Sequence, residues 1–379
     1  MKKVGLTTCF LDNYGACLQA YALSNVIESL GYDCEILQYI EPQGYFDPTF
    51  IDRIKNSFIY NKIRSISNSY KTSYLCEKIK RKSFKKFRKT YLNISEKKYR
   101  SFDELKDANK YYDAFVCGSD QIWNPSFYGG NNKAYFLNFA EKGKRKVAYA
   151  PSIGLDKIPD EYEKDFAELV NYLDYISVRE ANAVNIVKEL SGRDAKYVLD
   201  PTLLLDGEKW SKIVSEQRIV KKPYIFCYLF GEHDEYNVAV KHLREISNED
   251  LDIVIIPFCK KHLDNPYTKI YDAGPLEFLN LIKNAQYVIT DSFHATVFSI
   301  LFSRQFFTLP RFKKGQKNSM NSRIYSLLDT VGARDRLIDY SQFDTFQEIG
   351  KIDYSQIHSE LERLRKDSLD YLKGALEEK

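Results

Sequence analysis

The sequence predicts an α/β protein made of two doubly wound, Rossmann-like domains facing each other across a cleft. Three observations carry this expectation. Short apolar runs of strand length recur along the chain, amphipathic helical segments separate them, and polar clusters with Gly or Pro follow the strands. At 379 residues the chain has room for two domains of ordinary size, each with its own core.

In the first half, apolar runs at residues 3–9, 34–39, 114–117, 146–150, 175–178 and 197–199 read as strands alternating with helical patterns. A basic helical insertion interrupts them at about residues 50–100. In the second half the alternation is regular: strand 223–230, helix 236–246, strand 252–257, helix 275–284, strand 287–290, helix 293–302, strand 305–309, and helix 322–331 closed by Gly332. The expected boundaries are a first domain over 1–205, a linker over 206–222, a second domain over 223–345, and a C-terminal segment over 346–379. In that segment Ile357, Leu361, Leu364, Leu369 and Leu372 share one helix side and pack on a domain surface, with a crossing back to the first domain as one option.

Composition bounds the function. Charged residues are 28% against 44% hydrophobic, and no apolar run approaches the ~20 residues of a membrane span, so a cytoplasmic protein is expected. The opening residues read as a strand with no signal-type cleavage region behind them. Seven scattered cysteines, none in Cys-x-x-Cys spacing, read as reduced core residues. The five histidines show no ligand spacing, so no metal site is expected. Net charge is only +4 but uneven: residues 78–100 hold eleven Lys or Arg and one acid, Glu96. Phe84, Phe87, Tyr91 and Ile94 recur there at helical spacing, giving an amphipathic helix with a cationic back. An ordinary solvated face is the simpler reading; peripheral contact with an anionic membrane or a lipid diphosphate, at the inner face of the membrane, is the functional one. Nucleic acid is not indicated, because the aromatics do not alternate with the basic groups.

The most informative stretch is 287–299, where an apolar strand runs into Thr290-Asp291-Ser292 and delivers His294 onto the first turn of a helix. First-turn N–H groups and the helix dipole favour an anion there, and a bound anion favours a protonated His294. This suits acid catalysis on a phosphorylated substrate; the plainer reading is that Asp291 or Ser292 caps the helix and His294 fills a polar niche. Other strand ends carry similar clusters. Asp12-Asn13-Tyr14-Gly15-Ala16 offers a Gly for close backbone approach. Gly118-Ser119-Asp120-Gln121-Ile122-Trp123-Asn124-Pro125 is rich in hydrogen-bonding groups and has an aromatic platform of the kind sugars prefer. Ala150-Pro151-Ser152-Ile153-Gly154, Ser177-Val178-Arg179-Glu180 and Asp200-Pro201-Thr202 complete the set. Each alone is also ordinary turn, cap or ion-pair chemistry.

Asn13 to Leu23, Gly118 to Pro125, Ser177 to Glu180, Leu199 to Thr202 and Asp291 to His294 resemble the signature blocks of the polysaccharide pyruvyl transferase family, over roughly residues 1–332. The resemblance implies a GT-B-like pair of domains and transfer of pyruvate from phosphoenolpyruvate onto two sugar hydroxyls as a ketal, in synthesis of a bacterial surface glycan such as a capsule or exopolysaccharide. The donor is a co-substrate and no cofactor is implied. It also implies an acceptor side in the first domain and a donor side in the second. On this basis His294 is the acid, Asp120 the base for an acceptor hydroxyl, and Arg179 the clamp for phosphate or carboxylate. Ser292 also belongs to the donor site, and Asn13, Tyr14, Gly15, Gln121 and Trp123 meet the sugar or lipid-linked oligosaccharide acceptor. The chain departs from the family at one point: Ser292-Phe293-His294 stands where members carry Arg-Leu-His. Arg323, on the first turn of the helix after strand 305–309, is the expected replacement cation, with Lys313 or Lys314 assisting.

Two other function classes fit the architecture. A nucleotide-sugar glycosyltransferase would use the same helix end for its diphosphate, but residues 295–302 lack the acid that commonly grips a ribose. A non-catalytic glycan-binding protein would keep the cleft and lack turnover.

Overall fold

The computed structural model describes residues 1–40, 68–231, 233–247, 249–316, 319–347 and 350–377, with backbone only at 68–77 and 260. The part of the expected insertion before residue 68 lies outside them.

In chain order the principal elements of the first half are β1 (Lys3–Thr7), α1 (Tyr14–Ser29), β2 (Asp33–Tyr39), α2 (Asn68–Tyr91), β3 (Ile94–Tyr99), β4 (Ala114–Cys117), β5 (Arg145–Ala148), α3 (Asp160–Val170), β6 (Tyr175–Val178), α4 (Ala181–Ser191) and β7 (Lys196–Tyr197). α5 (Pro201–Leu204) and α6 (Gly207–Ile213) lead to β8 (Tyr224–Tyr228), α7 (Glu235–Ile246), β9 (Asp252–Ile255), β10 (Thr268–Lys269), α8 (Pro275–Lys283), β11 (Tyr287–Thr290), α9 (Phe293–Leu301), β12 (Gln305–Thr308), α10 (Ser322–Thr330) and α11 (Tyr354–Glu377).

All described strand pairs are parallel, in two sheets of order β3-β2-β1-β4-β5-β6-β7 and β10-β9-β8-β11-β12. The strands are covered on both faces, which is why runs such as Ala114–Cys117 and Val288–Thr290 are buried at every position. In each sheet the winding reverses once, between β1 and β4 and between β8 and β11. Loops leaving the carboxyl ends on either side of a reversal diverge and leave a crevice, where open α/β sheets bind ligands. Thr7 aligns with Cys117 in one sheet and Thr290 with Tyr228 in the other, so the loops that follow start level with each other.

The halves are joined by packing as well as by chain. Trp210 of α6 is fully buried, donates from Nε1 to the Thr202 carbonyl (3.0 Å) and packs on Phe298 and Tyr21. α11 returns to the first sheet: Ser368 Oγ accepts from Leu199 N, Tyr371 donates to the Ala148 carbonyl, and Arg145 donates to the Ala375 carbonyl.

The basic segment differs from its sequence reading. Its helix ends at Tyr91, and Ile94–Tyr99 forms edge strand β3, with Lys97 and Lys98 exposed along it. Ile94 therefore belongs to a different element from Phe84 and Phe87. Charged side chains on an edge strand oppose further strand pairing. Within α2, Phe84 and Phe87 are buried, Lys85, Lys86 and Lys89 are exposed, and Arg88 is paired with Asp12. Among the described residues no helix is long and apolar enough to cross a membrane.

Candidate active site

The crevices of the two sheets open into one cavity of about 270 Å³, walled by Asn13, Gly15 and Asp120 of the first domain and Ser292, His294 and Arg311 of the second. Tyr14, Gln121, Phe230, Phe278 and Arg323 complete the parts that matter below. A larger groove of about 780 Å³ lies at the opposite end of α9, lined by residues such as Gly207, Arg304 and His358. No strand carboxyl ends converge there, so the smaller cavity is the candidate site.

Ser292 caps α9: its Oγ accepts from Ala295 N at 3.4 Å, and its own N–H bonds Thr290 Oγ1 at 3.0 Å. The cap fixes the first turn and sets His294 into the wall, 8% exposed. Facing it is Gly15. A Cβ at residue 15 would overlap the His294 ring at Nδ1, so only glycine lets α1 approach this closely. The other ring nitrogen, Nε2, is buried and 3.8 Å from Asp200 Oδ2.

Asp200 is fully buried and holds the site together from behind. Its Oδ1 accepts from Thr202 N (3.0 Å) and Thr202 Oγ1 (2.5 Å), and its Oδ2 from Arg179 Nη1 (2.7 Å) and Ser119 Oγ (3.2 Å). Burial opposes its charged form, but His294 and Arg179 together outweigh burial and hold the carboxyl well below the usual range. Gln19, buried on α1, accepts from Ser119 N and donates to Thr8 Oγ1 and the Cys9 carbonyl. This buried network ties β1, β4 and the Asp200 turn together. Asp120 stands at the cavity edge in the left-handed region (φ 61°), with its carbonyl accepting from Ser152 N. For a residue with a Cβ that conformation costs about 1–2 kcal/mol, and the surrounding loops hold it in place.

Arg179 is not where the sequence reading placed it. It lies behind the cavity wall with its side chain 2% exposed, bonded to Asp200, 3.4 Å from Glu180 and 4.0 Å from Asp120, and stacked over Phe293 at 4.4 Å. Three carboxylates already surround it, so it braces the site from behind rather than clamping a ligand. Trp123 is a second correction. It is 1% exposed, donates to the Tyr135 carbonyl and stacks on Phe136 at 4.9 Å, so it belongs to the first domain's core and offers no sugar platform. Tyr14 lines the cavity, but its hydroxyl donates to the Ala273 carbonyl (2.7 Å) and its ring stacks on Phe278 (4.5 Å), which makes it an interdomain anchor. Asn13 caps α1 through Oδ1, and Gln121 Oε1 accepts from Asn124. Both still line the cavity. Lys313 pairs with Glu235 at the surface.

The cations that line the cavity are Arg323 and Arg311. Arg323 is 7% exposed; burial, followed by the positive charges of Arg179 and Arg311, pushes its pKa down to about 9. A guanidinium keeps its proton in proteins, so the shift expresses lost hydration first and repulsion second, and a bound anion would offset both. Arg311, just beyond β12, donates to the Asp291 carbonyl (3.0 Å) and lies 3.4 Å from the Asp291 carboxylate, over the Phe230 ring at 4.4 Å. Asp291 itself takes N–H bonds from Phe230 and Gly231 at 2.8 Å each and so aims Arg311. Sequence reasoning missed Arg311. The signal was its position beyond β12, whose loop opens beside that of β11.

A family model described as polysaccharide pyruvyl transferase matches residues 13–311. The chain belongs to the polysaccharide pyruvyl transferase family. The matched span runs from the α1 cap to Arg311 and takes in both faces of the cavity, including Asp120 and His294. A sequence search of curated proteins finds no match. Among solved structures, a putative UDP-N-acetylglucosamine 2-epimerase from Listeria monocytogenes is similar at TM-score 0.52 and 11% identity, covering 98% of this chain and 91% of that one. Arabidopsis thaliana UGT89C1, complexed with UDP-L-rhamnose, is similar at TM-score 0.50 and 10% identity, covering 98% of each chain. At these identities the likeness is one of fold: this pyruvyl transferase family member has the two-domain GT-B architecture.

Proposed function

We propose that the chain moves pyruvate from phosphoenolpyruvate onto two hydroxyls of a sugar, as a ketal, without a bound cofactor. The observation that carries this reading is His294 at a helix N-terminus in one cavity with Arg311 and Arg323. A small trianion fits that charge pattern: phosphate and carboxylate meet the two guanidiniums and the first turn of α9. His294 donates its proton to the methylene carbon of the enol, leaving an oxocarbenium at the central carbon. A sugar hydroxyl oxygen bonds to that carbon and its proton passes to Asp120. The carbon–oxygen bond to phosphate then breaks, inorganic phosphate leaves, and the second hydroxyl closes the ketal with loss of its proton. The sum is donor plus diol giving ketal plus phosphate.

The acceptor side of this proposal involves α2. This helix packs Phe84 on Tyr14 at the cavity wall, Lys80 lies 5.0 Å over the same ring, and the Lys85, Lys86 and Lys89 face points to solvent. Such a face suits an anionic membrane at its cytoplasmic side, displaying a lipid-linked acceptor of a surface polysaccharide beside the cavity.

Thermal shift tests the donor. Phosphoenolpyruvate should raise the melting temperature, with the size of the rise following donor concentration over Kd. Stabilisation by a nucleoside diphosphate alone would favour a nucleotide-sugar transferase instead. Binding with no phosphate release in the presence of a galactose-type acceptor would favour a non-catalytic glycan binder.

A further inference from the structure

We propose that Asp200 is the positioning residue of His294: its carboxylate faces Nε2 and keeps the neutral ring's proton on that nitrogen, so that Nδ1, over Gly15, is the nitrogen that serves the cavity. The inference rests on the reading of His294 as the acid and names the atom that acts. Its basis is geometric. Nε2 is buried with no hydrogen-bond partner, and the nearest carboxylate oxygen, Asp200 Oδ2, is 3.8 Å away. A flipped ring would turn Cε1 to the carboxylate and forfeit that attraction. Asp200 cannot turn away, because Thr202, Arg179 and Ser119 bind both of its oxygens. On the opposite side Nδ1 abuts the Gly15 backbone, part of the cavity wall.

A carboxylate fixed behind an imidazole selects the tautomer and stabilises the imidazolium, as second partners of catalytic and metal-bound histidines do. The other charged groups near the ring come from four elements. Arg179, following β6, lies beyond Asp200 and neutralises part of its charge, with Glu180 beside it. Asp120 follows β4, Arg311 follows β12 and Arg323 starts α10, all on the shared cavity. The remaining titratable groups of the wall are Cys9 and the phenols of Tyr14, Tyr128 and Tyr228.

The test is 15N NMR of histidine-labelled protein without donor, with His294 assigned by its loss in His294→Ala. In wild type, the neutral ring should carry its proton on Nε2. In Asp200→Asn the titration midpoint should fall by at least one pH unit, a tenfold change in proton affinity. A neutral ring protonated on Nδ1 in wild type, a measurement that needs no variant, would overturn the proposal. So would equal midpoints in both proteins. In kinetics, Asp200→Asn should move the basic limb of kcat to lower pH, whereas a uniform loss with an unmoved limb would mean a structural role only. The NMR readout requires no turnover. A correct tautomer with no ketal formed would therefore leave this inference standing while the pyruvyl reading fell.

Discussion

The imidazole of His294 lies against the backbone of Gly15, so two helices from different domains meet at the atom assigned to proton transfer. Alanine in a helix is ordinarily more stable than glycine by about 0.5–1 kcal/mol. Gly15→Ala should reverse that preference, because the added methyl displaces the ring. The expected outcome is a fall in kcat of about 10²-fold or more, with a smaller change in donor Kd. Stopped assays of phosphate release, together with donor thermal shift, check it. Unchanged kcat would mean the ring can move without consequence, and His294 would lose its assigned role.

Arg323 is expected to show the opposite balance between stability and binding. Because burial and two nearby arginines disfavour its charge, Arg323→Met should leave the donor-free melting temperature equal or higher. The same variant should lose donor affinity by about 2 kcal/mol, roughly thirtyfold in Kd. Arg311→Lys should also weaken binding, since Lys has no fork to span Asp291 and a ligand. A destabilised Arg323→Met protein with wild-type Kd would place Arg323 in the scaffold.

Asp200 also makes a pH prediction for stability. Its folded-state pKa lies below the unfolded value, so its contribution is fully present above the ordinary carboxylate pKa of about 4 and is lost as pH falls toward the folded value. The stability gap between wild type and Asp200→Asn, read by chemical denaturation, should narrow as pH falls below ~4. A gap that widens below pH ~4 would contradict the sign.

Trp123→Ala should cost about 3–5 kcal/mol of stability, the usual range for an emptied aromatic core site. The folded fraction should keep its acceptor KM. Raised KM at full stability would restore the sugar-platform reading that its burial argues against.

For α2, Lys85→Glu, Lys86→Glu and Lys89→Glu together should abolish salt-sensitive flotation with vesicles containing anionic lipid, while activity on a soluble acceptor persists. Arg88 is left out because it is paired with Asp12. Wild-type protein that ignores such vesicles at low salt would remove the membrane from the account.

The two parallel, doubly wound sheets were legible because strands buried on both faces read as short apolar runs, and the cavity was legible because polar clusters follow those runs. Individual directions were not. Within the block from Gly118 to Pro125, Asp120 and Gln121 line the cavity while the next two side chains, Ile122 and Trp123, turn into the core. Arg179 read as a ligand clamp because its partner Asp200 is 21 residues away in sequence and only the fold brings them to 2.7 Å. Arg311 was passed over for Arg323, although both follow β12 and both line the cavity. The helical spacing of Phe84, Phe87 and Tyr91 ran on to Ile94 by coincidence, which hid edge strand β3.

The most direct test of the central claim is a reaction run in D₂O with phosphoenolpyruvate and a β-galactoside acceptor, followed by 1H and 13C NMR. The account expects a pyruvate ketal whose methyl group carries one deuterium, formed in step with one phosphate per ketal and absent with His294→Ala. Phosphate release that yields only free pyruvate regardless of acceptor, or no ketal with any sugar diol while a nucleotide sugar is consumed, would contradict it.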